Sequence, residues 1–479
     1  MYLAWTLATL AGLCVARGST ADDSKVPDIT GKLQLFVDQR DIESLKQAHL
    51  VLHSPVRKET AIRFDASWET PTACYVTILQ DVVEETNSSP GQPVYRMYYR
   101  GRGGDFESTC YAESRDGIHW TKPELGLIEW NGSKRNNMIL ASTPPDRTAH
   151  NFVPFRDTNP QAAPDARYKA VAGKRIKPGE DGLHAFKSAD GIHWKPMMAG
   201  ALPLAGKFDS QNVVYWDTAR KKYVIYFRTY IKANRAISMA ESEDFLTWSS
   251  PVQAVVEGEP EQFYTNAVIP YFRASHLLFA FPKRFIPDRK RLQEHPQQGI
   301  SDAVFLSSRD GRYFDRQFRE ALLRPGRSTE NWGDRSLMTA WGLVPTGADE
   351  MSIYVSEGYR FDSSCLTRFA FRTDGIASVR AFATTGELIT KPFQLRNADK
   401  LVLNFATSAA GSVQVEVQTA SGKPIPGFTL KETLPLYGDE IAERYAWKSG
   451  SSLSSLAGRP LRLRIVLNDA DLYSYRFEK

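Results

Sequence analysis

Cysteine is scarce, with four in 479 residues. One of them, Cys14, sits in the apolar start of the chain, which leaves Cys74, Cys110 and Cys365 for the rest. Three scattered cysteines cannot form a disulfide scaffold. Were Cys74 and Cys110 on the first and third strands of one sheet, they would stand about 9–10 Å apart, beyond bridging range. No Cys/His grouping has the spacing of a structural zinc site, and no glycine-rich loop follows a strand and opens a helix. No metal and no cofactor are therefore expected. A strong excess of charge is also missing. Sixty Lys and Arg against 55 Asp and Glu give a net charge of +5, with no basic tract of the kind that tracks phosphates, so nucleic acid is not the expected partner. Amphipathic helices of twelve or more residues are absent too, and the best short helix candidate is Asp41 to Leu50. Only one apolar run stands out, Tyr2 to Val15, followed by the small residues Ser19, Thr20 and Ala21. It has the length of an export leader, residues 1–21, and is too short for a membrane span. A secreted or periplasmic protein is expected, with no membrane insertion once the leader is gone. Cys14 follows Leu13, which does not fit a lipid-anchored start.

What is present is aromatic and repetitive. Aromatic residues make up 11% of the chain, with 10 Trp and 20 Tyr, which can stack on sugars or fill a β-rich core. The turn Ser-x-Asp-Gly-x-x-Trp occurs at Ser114 to Trp120 and at Ser188 to Trp194. It recurs with Phe245 in place of glycine at Ser242 to Trp248, as Ser308 to Phe314, and in degenerate form as Thr373-Asp374-Gly375. In such a turn the Asp accepts backbone N–H groups, the glycine supplies a positive φ and the ring packs back on the sheet, which makes its role structural.

Each copy follows an apolar strand (Val94 to Arg100, Tyr168 to Ala172, Tyr223 to Arg228, His276 to Phe281, Met351 to Val355). Another strand precedes each of these (Tyr75 to Gln80, Asn151 to Phe155, Asn212 to Trp216, Asn266 to Tyr271, Trp341 to Val344). Short strands repeating in this way predict an all-β five-bladed propeller over residues 33–394. From 395 to 479 longer alternating strands (Leu401 to Phe405, Val413 to Val417, Leu461 to Val466) predict a β-sandwich.

Five blades and a sandwich resemble the propeller glycosidases, the clan of invertases, fructanases, arabinanases and β-xylosidases. In that clan acidic residues at or just before the innermost strands carry the chemistry. Here those positions hold Glu69, His150, Asp209, Glu261 and Asp334. The resemblance implies two carboxyl groups facing across a glycosidic bond, one kept protonated. Glu261, beside Phe263 and Tyr264, is the expected acid, Asp209 the second essential carboxylate and Glu69 the base or nucleophile. His150, Asn151, Gln211, Asn212, Asn266, Asp334 and Arg335 are expected to hold substrate hydroxyls, with Trp68, Tyr264 and Trp332 as sugar platforms. Asp157 reads as a strand-end turn residue. The basic stretch Lys283, Arg284, Arg289, Lys290 and Arg291 reads as a solvated face, or as a place for sulfate, uronate or phosphate.

The invertase signature is missing, with Ser67-Trp68-Glu69-Thr70-Pro71 standing in its place, so fructosidase activity is not implied. The expectation is a glycoside hydrolase on a plant or algal oligosaccharide or polysaccharide. Two readings compete with it: a phosphorylase with phosphate held by Arg228, Lys283 or Arg284, and a non-catalytic glycan-binding propeller.

Overall fold

A computed structural model describes residues 26–82, 93–143, 148–177 and 180–479. The expected leader, residues 1–21, lies outside these residues. Blade one pairs Cys74–Val82, Pro93–Gly103, Phe106–Ser114 and Trp120–Thr121, with Met138–Ser142 added against the third strand. Blade two runs Val153–Arg156, Tyr168–Lys177, Glu180–Ser188 and Lys195–Pro196. Blade three runs Val213–Asp217, Lys222–Ile231, Asn234–Ser242 and Val252–Gln253. Blade four is built on Ile269–Tyr271, Ala274–Ala280, Leu306–Ser308 and Tyr313–Asp315, with a hairpin of Lys283–Ile286 and Ile300–Ala303 above it. Blade five joins Met338–Thr339 and Val344–Pro345 to Glu350–Glu357 and Cys365–Arg372. Its outermost strand is Val56–Arg63, from the other end of the chain. That pairing closes the ring by tying the start of the chain to its last blade.

The repeated turns hold the ring together. In blade two, Ser188 Oγ accepts Gly191 N–H at 2.9 Å, and Asp190 Oδ1 accepts the N–H groups of Ile192 and His193 at 2.9 and 2.8 Å. Trp194 Nε1 then donates to the Gly191 carbonyl at 3.0 Å, and Tyr98 of blade one donates to the same oxygen at 3.0 Å. Likewise Tyr226 of blade three reaches the Gly311 carbonyl of blade four at 2.7 Å, and Tyr354 of blade five reaches Gly117 of blade one. Each such turn thus finishes its own blade and docks the blade before it. The Asp190→Ala variant is expected to lose about 1 kcal/mol of stability, the net worth of a hydrogen-bonded polar group of this kind, read from urea unfolding. Blade three lacks the glycine, and Phe245 takes the positive φ of 71° instead. Its ring is fully buried against Phe155, Tyr223 and Trp248, which outweighs the strained backbone. In the fifth copy Asp374 does not form this turn. It is buried and holds Tyr271 and Arg273 of blade four.

The C-terminal region is an all-β sandwich made of one eight-stranded sheet folded over its own core. Two long strands, Lys400–Thr419 and Leu461–Glu478, pair along their length and shift register between Thr407 and Ser412. Strands from the start of the chain, Gln34–Leu35, Ile42–Lys46 and His49–Leu52, join this sheet, as do Ala377–Ala381 and Gly386–Thr390. The sheet therefore draws strands from both sides of residue 394. The short helix expected over Asp41 to Leu50 is instead two strands, separated at Gln47, whose φ is 50°. Its apolar residues face a sheet rather than spiralling.

Between the blades the channel is plugged. Gln211 Nε2 donates to the Val76 carbonyl at 2.8 Å, and Trp341 N–H to Val76 O at 2.9 Å. Gly342 permits that approach, since a Cβ there would meet Ile78 O at 2.4 Å.

Candidate functional site

The end of the propeller that precedes the innermost strands carries a concentrated polar network. His150 lies at its centre, mostly buried. Its Nδ1 is 2.9 Å from both oxygens of Glu107, and its Nε2 is 2.9 Å from Asp209 Oδ1. The two carboxylates differ in setting: the Glu107 side chain is 2% exposed and that of Asp209 is 61% exposed. Burial works against the imidazolium, but the hydrogen bonds to Asp209 and Glu107 outweigh it and raise the His150 pKa above its ordinary value. In return, the hydrogen bond from His150, against the opposing effect of burial, holds Asp209 well below the usual carboxylate range, helped by Arg228 and Arg335. The result is an imidazole whose protonated form is favoured, set between an open and a sealed carboxylate.

Tyr264 forms the floor beside this chain. Lys283 Nζ lies 4.1 Å from its ring centroid, and the guanidinium carbons of Arg228, Arg235 and Arg335 lie at 5.3, 5.6 and 5.6 Å. The Tyr264 hydroxyl is 3.0 Å from that of Tyr75, over which Arg100 stacks at 4.7 Å. Arg100 Nη1 donates to Asn151 Oδ1 at 3.1 Å, and Asn151 Nδ2 donates to Ser210 O at 3.1 Å. That clamp joins blade one to the loops before blades two and three. Asp334 is nearly buried, with its carboxylate 3.2 Å from Arg360 Nε and 3.5 Å from Arg335 Nε. Lys283 Nζ donates to its backbone oxygen at 2.9 Å.

Of the residues expected from sequence, His150, Asn151, Asp209, Tyr264, Asp334 and Arg335 come together here. Glu69 does not. Its side chain is 0% exposed, with one oxygen accepting Tyr99 OH at 2.6 Å and the other accepting Lys122 Nζ at 2.7 Å and Ala66 N–H at 3.0 Å. A sealed, fully bonded carboxylate cannot meet a sugar, so Glu69 is corrected to a structural ion pair. Glu261 is likewise corrected as the protonated acid. It bridges Arg284 Nη1 at 2.6 Å and Arg316 Nε at 2.9 Å, and although burial acts to raise its pKa, these guanidiniums bring it down.

Gln211, Asn212 and Asn266 are buried and spend their amides on backbone carbonyls. Trp68 donates to Asn137 at 2.9 Å and packs in the core of blade one, and Trp332 donates to Gly326 O at 3.0 Å. Both indole N–H groups are thus tied to the protein. Asp157 directly follows the strand Val153–Arg156 and accepts the Asn159 N–H at 2.9 Å, as a strand-end turn residue does, and its carboxylate is also a buried partner of Lys169 and Tyr223. Of the basic stretch, Lys283 is fully buried and Arg284 is paired with Glu261 and Asp302.

Sequence reasoning did not single out Glu107, Arg100, Tyr75, Arg235 or Tyr359. Glu107 sits on the third strand of blade one, away from the loop positions where acids were sought. Among the described residues no group of three or more His, Cys, Asp or Glu side chains is placed to hold a metal ion, and no helix is long and apolar enough to cross a membrane. A cavity of about 350 Å³ opens at the other end of the channel, between Gln80, Arg156, Tyr215, Trp216 and Trp341. Its one acidic side chain, Asp217, accepts the N–H groups of Ala219 and Arg220, so it lacks a reactive carboxylate.

No protein-family model matches the chain, and no curated protein does. Among solved structures it is similar to an N-acetylgalactosamine deacetylase from F. plautii in complex with blood group B trisaccharide. The identity is 14%, over 69% of this chain and 95% of that one, with a TM-score of 0.43. It is also similar to a putative glycoside hydrolase from Bacteroides ovatus, at 12% identity over 67% of this chain and 96% of that one, with a TM-score of 0.41. A fructofuranosidase from Schwanniomyces occidentalis complexed with fructosylnystose covers 90% of this chain and 99% of its own, at 10% identity and a TM-score of 0.38.

Proposed function

We propose that the protein is a glycan-active enzyme, a glycoside hydrolase whose proton chemistry runs through Asp209, His150 and Glu107. The observation that carries this reading is His150 held between a carboxylate sealed in blade one and another open to solvent at the funnel. Breaking a glycosidic bond needs a proton at the leaving oxygen and a carboxylate to balance the positive charge that develops on the sugar. His150 stores the proton. As the bond breaks, the proton passes from Nε2 through the Asp209 carboxylate to the leaving oxygen while Glu107 keeps the neutral imidazole oriented; water then adds to the anomeric carbon of the cleaved sugar, and its proton returns through Asp209 to His150. Asp334, fixed by Arg335 and Arg360, is the second carboxylate of the funnel. The leader expected from sequence supports a periplasmic or secreted location, where plant or algal glycans are met.

The pH dependence follows from the two shifts. His150 is raised above its ordinary value of about 6.5, so the donor form is lost at a higher pH than in a free imidazole. Asp209 is lowered, so it stays ionised to below the usual carboxylate range. The value of kcat/KM is therefore expected to fall as pH rises through the loss of the His150 proton, at a higher pH than an ordinary imidazole would set. In the His150→Gln variant the residual rate is expected to lose that alkaline limb. The reading is tested by screening the mature protein for sugar release from a broad panel of glycans and aryl glycosides. Silence across the panel, with glycan binding retained, would replace the enzyme with a binding propeller.

A further inference from the structure

The cations around Tyr264 exceed what the site needs to support its own carboxylates. Arg228, Arg235, Lys283 and Arg335 ring one tyrosine, and Arg100 and Arg360 lie against the adjoining Tyr75 and Tyr359. Against these six stand Asp209, Asp334 and Glu107, and His150 already takes up Glu107 and much of Asp209. Arg228 is 7% exposed and Lys283 0%. Buried charges are ordinarily paired and hydrogen-bonded, because desolvation costs several kcal/mol for each ion. Here that rule is met only in part: Arg235 Nη1 donates to Gln262 Oε1 at 2.7 Å and Arg100 Nη1 to Asn151 Oδ1 at 3.1 Å, both of them neutral acceptors. The Nε atoms of Arg228, Arg235 and Arg100 are all buried without a hydrogen-bond partner among the described residues. Lys283, fully enclosed, donates only to a backbone carbonyl. Contact with tyrosine faces offsets part of the cost but supplies no anion.

We infer that the floor of the funnel is an oxyanion-binding subsite, formed by Arg228, Arg235, Lys283 and Arg335 around Tyr264 and adjoining Asp209. It takes a sulfate ester, a uronate carboxylate or a phosphate. Guanidinium forks match the paired oxygens of all three groups, and the lysine adds a point charge beneath them. The exposed Tyr230, 5.5 Å from Arg228 and 5.9 Å from Arg235, continues the wall toward solvent. An anion seated there would neutralise the cluster and lift the Lys283 ammonium back from the state into which burial, and then Arg335, press it. This inference rests on the hydrolase reading only for its meaning: on that reading, the preferred substrate is an acidic glycan whose oxyanion lies next to the bond cleaved.

The test is binding, measured apart from turnover. The wild-type protein is titrated by calorimetry with glucuronic acid, a monosulfated galactose, inorganic phosphate, and neutral glucose and galactose. At least one anion is expected to bind and both neutral sugars are not. Binding of an acidic sugar but not phosphate identifies a glycan substituent; binding of phosphate alone identifies a free co-substrate. In Arg228→Gln, and separately in Arg235→Gln, affinity is expected to fall at least about tenfold, the loss of one charge-assisted contact. Two variants guard against one that fails to fold. No binding by any anion, or binding unchanged in both folded variants, overturns the subsite. Anion binding without hydrolysis of any glycan would leave the subsite standing and remove the hydrolase reading.

Discussion

Replacing Asp209 by Asn is expected to lower kcat/KM by roughly a hundred- to ten-thousand-fold, the range over which a positioned proton-transfer group contributes. The change is nearly isosteric, and the side chain is largely exposed at the funnel, so little packing is lost. What is lost is the negative charge facing His150 Nε2 and the path by which the proton leaves the imidazole. Without the Asp209 hydrogen bond the strongest interaction raising the His150 pKa disappears and burial gains ground, so the donor form is also held less firmly. Thermal unfolding should shift little compared with the loss in rate. A variant that unfolds early, or one that keeps its rate, would remove Asp209 from the chemistry.

The second large effect concerns stability. Glu69→Ala is expected to cost about 3 kcal/mol or more, as when one partner of a buried pair is removed. The carboxylate joins Lys122, Tyr99 and the Ala66 N–H in the core that connects the Phe64 loop to blade one. Its removal leaves a buried hydroxyl and an N–H without an acceptor and a hole beneath Phe64 and Tyr99. Lys122 keeps Asp65 and the Arg63 carbonyl, which limits the damage on the ammonium side. Chemical denaturation of the variant reads the loss. Below its melting range the protein should retain catalysis, whereas a nucleophile would not be dispensable at any temperature.

These two acids show which parts of the molecule the sequence made legible. Glu69 and Asp209 occupy equivalent places before innermost strands, yet one points into a core and the other toward the funnel. Position along the chain does not set that direction, because a single-residue change in register reverses the face a side chain takes. Glu261 had the aromatic neighbours of a raised acid, but the guanidiniums of Arg284 and Arg316 that overrule them come from distant segments. Glu107 carries no local signal at all on its strand.

The blades, by contrast, were readable because each turn is written within seven residues. The Ser, Asp, Gly and Trp of a copy bond mainly to one another, so local chemistry suffices. The second strands were found on the same basis, from Val94 to Arg100 through Met351 to Val355. Closure of the ring by Val56–Arg63, and the recruitment of Gln34–Leu35, Ile42–Lys46 and His49–Leu52 into the C-terminal sheet, depend on partners hundreds of residues away. No pattern of two or seven residues records such a pairing. The buried cations belong with these: Lys283 sits in a run of basic residues that reads as solvated, and only the packing of Tyr264 over it makes it a floor.

The most direct measurement compares wild type, Asp209→Asn and Glu261→Gln side by side for initial hydrolysis rate on the best glycan of the panel, each confirmed folded by its melting curve. The account predicts that Asp209→Asn falls by at least a hundredfold, roughly the lower bound for a lost proton-transfer group, while Glu261→Gln keeps most of the wild-type rate. The reverse order, with Glu261→Gln inactive and Asp209→Asn active, would contradict it and return the acid to Glu261.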